Sequence, residues 1–187
     1  MQPSSQQISA IAIIGILCAA LPAWAGEYDP SPDHPFGRPH PDAAAYITDF
    51  AFAIGQWHCT NSWNGAENAD QPTLDWSFNY ALNGRAIEDY FEDSQIRGQG
   101  MRLYNSTLGE WNVVYMSMMP NFDNRTWVGG KQGDRMVLDL PTTRPNGETV
   151  IQRLSFYNIA TDSFEWQGEM VSKDASQQFW HLGCTRK

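Results

Sequence analysis

The sequence predicts an all-β fold: a closed antiparallel up-and-down barrel of about ten strands, with a short N-terminal helix packed against one end. Three observations point there. After Gly55, short runs of β-forming residues follow one another, broken at near-regular intervals by turn residues, with no amphipathic helix between them. The first run, G-Q-W-H-C-T-N-S-W from Gly55, and the last, F-W-H-L-G-C-T-R-K up to Lys187, can pair antiparallel. One register then sets Trp57 opposite Arg186, Cys59 opposite Cys184 and Trp63 opposite Trp180, because side chains alternate with period two. That register satisfies a Trp–Arg stack, a disulfide and an aromatic pair on one face. A first strand bonded to the last closes a sheet and removes the edges that an open sheet must protect.

Composition fits one domain. The chain has 187 residues, with 18% charged and 13% aromatic, which is the balance of a globular protein and not of a disordered one. Its net charge of −9 argues against a nucleic-acid partner, since phosphates would be repelled. Three segments are expected: 1–25 a signal peptide, 26–41 a Pro-rich extended leader, and 42–187 the barrel domain.

In the first segment an apolar run from Ile8 to Leu21 precedes Pro22 and the cleavage pattern Ala23-Trp24-Ala25. The run of about 14 apolar residues is short of the ~20 that span a bilayer, so no stable membrane anchor is expected after cleavage. Its start, M-Q-P-S-S-Q-Q, lacks the usual Lys or Arg. Leu17 before Cys18 also disfavours a lipid anchor, which needs a small residue there. The expected location is therefore periplasmic or secreted. With Cys18 removed, Cys59 and Cys184 are left as a natural pair in an oxidising compartment; the alternative is two buried free thiols.

The leader G-E-Y-D-P-S-P-D-H-P-F-G-R-P-H-P is too rich in proline to join the core, and its His34 and His40 have no cluster that would complete a metal site. P-D-A-A-A-Y-I, from Pro41, predicts one or two helical turns on the mouth or floor of the barrel. Phe50, Phe52 and Ile54 are then expected to alternate into the sheet. Strands are predicted at 56–63, 73–82, 85–93, 99–105, 110–119, 124–130, 134–140, 148–157, 163–171 and 178–186. Asn83-Gly84 predicts a type I′ hairpin, and Gly133-Asp134, Asn146-Gly147 and Leu108-Gly109 predict further turns. The strand from Trp111 to Met119 is apolar on both faces, so its outer side is expected to be covered by the helix or by another chain, as in a dimer, or part of it to line a wet mouth.

Several stretches resemble landmarks of an uncharacterised bacterial calycin-like family, akin to lipocalins, nitrobindins and fatty-acid-binding proteins. They are D-F-A-F-A-I-G-Q-W, N-G-R-A-I-E-D-Y-F, M-R-L-Y-N-S-T-L-G-E-W-N-V-V-Y, D-S-F-E-W-Q-G-E-M-V-S-K-D and the final Arg186. The resemblance runs from about residue 42 to the end and lies in the order and spacing of these stretches. It implies a barrel with an interior ligand cavity, and it makes Gly55, Trp57 and Arg186 the family's structural G-x-W signature with its basic partner. It implies no named activity.

Catalytic motifs are absent: there is no G-x-S-x-G elbow, no H-E-x-x-H and no phosphate-binding Gly loop before a helix. Glu88, Asp89, Glu92 and Asp93 read as a solvated face and loop. Haem ligation through His181 is disfavoured, because His181 has the opposite parity to Cys184 and Arg186; His58 likewise opposes Trp57. No metal and no cofactor are expected. Alternation puts Trp76, Phe78, Tyr80, Trp111, Tyr115, Trp166 and Met170 on the inner face, as candidates for lining a ligand cavity. The expected partner is a small hydrophobic molecule, held by a monomer or homodimer. An enzyme using the same cavity, an isomerase or a haem-dependent detoxifier, is the alternative. It would need an inward polar group such as Arg102 or Tyr104 beside a carboxylate.

Overall fold

First and last strands meet in the predicted register. In the computed structural model, which describes residues 26–63, 73–118 and 125–187, Trp57 lies opposite Arg186, Cys59 opposite Cys184 and Trp63 opposite Trp180. Cys59 and Cys184 form a disulfide. Residues 1–25, expected to be a signal peptide, and the strand ends predicted at 119 and 124 lie outside the described residues.

Ten antiparallel strands close the barrel, each bonded to its neighbours in the chain and β1 to β10. They are β1 Gly55–Trp63, β2 Leu74–Ala81, β3 Ala86–Glu92, β4 Arg97–Asn105 and β5 Glu110–Ser117. The second half holds β6 Thr126–Gln132, β7 Arg135–Thr143, β8 Thr149–Tyr157, β9 Ser163–Val171 and β10 Ser176–Arg186. Buried residues alternate with half-buried or exposed ones along most of β1, β2 and β9, as period-two packing requires. Gly133-Asp134 joins β6 to β7 directly, with Gly133 at φ 64°. The β2–β3 connection is longer than a two-residue hairpin: Leu82 and Asn83 both take positive φ (51° and 55°) before Gly84 at 75°.

The helical segment is longer than predicted. A 3-10 turn at Pro41–Ala43, the helix α1 at Ala44–Ile47 and a 3-10 helix at Thr48–Ala53 follow without a break. Phe50 and Phe52 therefore do not alternate as strand. The physical reason lies in the carbonyls at its end. Trp57 donates its indole N–H to Ala53 O at 2.6 Å, and Arg186 donates to Ile54 O at 2.8 Å and Phe52 O at 3.1 Å. These donors satisfy the orphan carbonyls of a terminating helix. The Arg186 guanidinium also sits 4.2 Å from the centroid of a Trp57 ring, a cation–π stack. Gly55, at φ 128°, has the guanidinium 2.6 Å from where a Cβ would stand. Only glycine fits there.

The leader contributes no residue to the buried core, yet it is bonded to the β2–β3 turn. Tyr28 N donates to Asn83 Oδ1 at 2.9 Å, and Asn83 N donates to Asp29 Oδ1 at 2.7 Å. Tyr80 N donates to Phe36 O at 2.9 Å. Its prolines remove donors without breaking these contacts.

Candidate functional site

The interior is divided. At the helix end it is filled: Phe50 packs edge-on against Trp111 at 4.9 Å and against Phe156 at 5.8 Å, and Trp57 meets Phe164 at 4.6 Å. Rings so arranged gain attraction beyond the area they bury. Beyond this floor lies a cavity of about 320 Å³. Its walls include Trp63, Trp76, Phe91, Tyr115, Trp127, Leu154, Trp166, Phe179, Trp180 and Leu182. Trp63, 47% exposed, stands where the cavity meets solvent.

Two features shape the walls. Inward positions of β4 are Gly98, Gly100 and Arg102, opposite Phe91, Asp89 and Ile87 of β3. A Cβ on Gly98 would meet the Phe91 ring, and one on Gly100 would meet the Asp89 carboxylate. The missing side chains on β4 thus admit the large or charged ones of β3. In β10 the register shifts between Gln178 and Trp180. This bulge leaves Phe179 unpaired and lets both Phe179 and Trp180 reach the cavity. Phe179 occupies space that a Cβ on Gly168 would contest at 2.6 Å.

A buried polar group stands at the floor. Asp89 and Arg102 are 2% and 4% exposed and form an ion pair through Asp89 Oδ1 and Arg102 Nη1. Trp76 Nε1 donates to Asp89 Oδ2 at 2.6 Å. The guanidinium carbon of Arg102 lies 5.0 Å from the Phe78 centroid, 5.3 Å from Phe50 and 5.9 Å from Phe156. Asp89 thus departs from the solvated reading of its acidic run: its parity is inward, and an Arg on the next strand offsets its charge. Tyr104, the other polar candidate, stacks on Tyr46 at 4.4 Å under the helix and does not line the cavity.

Of the seven cavity candidates, the cavity gathers Trp76, Tyr115 and Trp166. Burial pushes the Tyr115 hydroxyl up from its usual pKa, with a smaller opposing effect of its hydrogen bond to Ser117. Phe78 and Trp111 are fully buried in the floor, where Trp111 Nε1 donates to Asp49 at 3.1 Å. Tyr80 sits at the leader end of β2, and Met170 pairs with Gln152 and Gln177 off the cavity wall. Sequence reasoning did not single out Asp89, Phe91, Trp127 or Phe179 as lining residues. Inward parity with Ile87 would have marked Asp89 and Phe91; the bulge that frees Phe179 has no local signal.

The histidines lie elsewhere. His181 meets Glu165 at 3.3 Å and His58 meets Asp75 at 3.0 Å; neither lines the cavity. Among the described residues no cluster of His, Cys, Asp and Glu could hold a metal, and no helix is long and apolar enough to cross a membrane.

Fold and cavity together define a closed ten-stranded antiparallel barrel, a form consistent with a calycin-like barrel, with packed rings at one end and a cavity toward the other. No family model matches the chain, and no curated protein matches it.

Proposed function

We propose that the barrel binds a small, mainly apolar molecule, non-covalently, in the cavity above Asp89 and Arg102. The observation that carries this reading is the cavity of about 320 Å³ itself, walled by Trp, Phe and Tyr in a barrel whose other end is occupied by the packed rings of Phe50, Trp111 and Phe156. At the packing density of protein interiors such a space suits a ligand of about a dozen non-hydrogen atoms. The resemblance to calycin-like ligand carriers supports the same reading. So does the disulfide, with the A-x-A pattern before Gly26, for a mature protein exported to the periplasm or beyond.

Tryptophan fluorescence measured against fatty acids, retinoids and quinones tests it, since four tryptophans besides Trp63 line the cavity: Trp76, Trp127, Trp166 and Trp180. Quenching that saturates is the expected result. No quenching, together with a crystal structure whose interior is filled by side chains, would retire the idea.

Arg102 beside a carboxylate favours a second reading, an enzyme using the same cavity. General acid–base work needs a group free to exchange a proton with its substrate. Both Asp89 oxygens already accept hydrogen bonds, from Arg102 and Trp76, so the pair is better suited to orienting a ligand than to proton transfer. A third reading, a dimer through the outer face of β5, draws on the exposure of Met116 on that strand, Met118 just past its end and Leu103 on the neighbouring β4. The mass in solution separates it from a monomeric carrier.

A further inference from the structure

We infer that the molecule taken by this cavity is planar and apolar and carries a neutral carbonyl, an aryl ketone or a quinone, directed at the Asp89–Arg102 floor. This rests on the binding role proposed above and adds the chemistry of the ligand.

A guanidinium has five N–H donors. Arg102 places Nη1 on Asp89 Oδ1, while its Nε, though buried, has no hydrogen-bond partner among the described residues. Trp127 Nε1, two strands along the same register row through Val113, is buried and without a partner among them too. Asp89 already accepts from both Arg102 and Trp76, and the Phe50, Phe78 and Phe156 rings around the guanidinium offer π faces only. The floor thus holds more donors than acceptors. Unmet donors in a dry site are costly, and a bound molecule with an acceptor relieves that cost.

Charge then selects the acceptor. Asp89 and Arg102 offset each other, so a carboxylate at the floor would meet the Asp89 charge as well as the Arg102 charge, after losing its hydration. A carbonyl oxygen accepts the same hydrogen bonds and gives up far less hydration. Arg125 also lines the cavity, with an interaction of its own, and it is the reason an anionic probe belongs in the test. Planarity follows from the walls: Phe91 and Tyr115 stack within 5° of parallel at 5.6 Å, and Trp166 stands edge-on to Trp180 at 5.1 Å. Flat aromatic faces pack best against flat ligands.

Three probes of one shape decide the matter: 2-acetylnaphthalene, 2-ethylnaphthalene and 2-naphthoate, titrated calorimetrically into the disulfide-bonded protein at neutral pH. The ketone is expected to bind about tenfold more tightly than the hydrocarbon and than the carboxylate, the order of one charge-assisted hydrogen bond. Trp127→Phe, which keeps a ring and removes one donor, should narrow the gap between ketone and hydrocarbon. Asp89→Leu with Arg102→Met, which removes the pair as a unit, should abolish it while ethylnaphthalene still binds. Equal affinities for ketone and hydrocarbon, tightest binding of naphthoate, or a ketone preference that survives in both variants each overturn the inference and leave the binding role standing. Failure of all three probes to bind overturns both.

Discussion

Arg102 is a charge held among three phenyl rings with one carboxylate beside it. Breaking such a pair costs more than removing it, because the partner is left charged and dry. Arg102→Met alone should lower unfolding free energy by about 3–5 kcal/mol. Adding Asp89→Leu should recover most of that loss, and urea unfolding of the two variants measures it. A recovery of less than half would mean that the pair stabilises the barrel on its own account. A second residue-level strain is independent of the cavity. Leu82 takes φ 51° at 58% exposure, a conformation that costs an ordinary side chain about 1 kcal/mol. Leu82→Asn, which tolerates that region, should raise the urea midpoint by the equivalent of several tenths of a kcal/mol, with the slope unchanged.

At the scale of elements, the seam between β1 and β10 carries the closure. It places the disulfide between Arg186 on one side and the Trp63–Trp180 contact at 5.2 Å on the other. The two cysteines are 125 residues apart, so the chain-entropy account predicts about 4–5 kcal/mol and experience with such bridges about 2–4. Cys59→Ser with Cys184→Ser should lower stability within that span in a denaturant melt. The β8–β9 hairpin adds a pH-dependent contact. Glu165 accepts from Asn158 at 3.0 Å, and the Tyr157 hydroxyl, desolvated and bonded to Glu165, is pushed up to about 12 from 10.0. A raised value in the folded state means that the neutral phenol is favoured by folding. Its contribution is complete below pH 10 and is lost as pH rises through about 12. Stability measured across that alkaline range should fall less steeply in Tyr157→Phe than in the parent, and identical slopes would remove Tyr157 from the account.

For the whole molecule, one strand register and one helical segment produce two different halves. The segment Pro41–Ala53 inserts Ile47, Phe50 and Ala53 into one end, all fully buried, and Arg186 latches it by its terminal carbonyls. The other end has no such plug among the described residues, and the cavity lies there. The closed topology was legible because a period of two constrains a whole strand at once. Three side-chain pairs, Trp57–Arg186, Cys59–Cys184 and Trp63–Trp180, agree on a single alignment, and a shift of one residue would spoil all of them. Inner and outer faces of β2 and β9 could be read on the same ground.

The cavity was less legible, and for a reason of distance. Whether an inward ring fills a floor or walls a cavity depends on what stands across the barrel. Phe78 and Trp111 meet Phe50 and its neighbours, whereas Trp76 and Trp166 border open space. Asp89 looks solvated within E-D-Y-F-E-D; its partner is on the adjacent strand, 13 residues away, and becomes a neighbour only through the β3–β4 register. The length of the helical segment depended likewise on Trp57 and Arg186, donors that local propensity does not include. Alternation along the chain sufficed for the barrel and its seam, because those follow from local periodicity repeated ten times. The division into a packed floor and a polar-bottomed cavity came from contacts across the barrel, which pair residues that the chain keeps far apart.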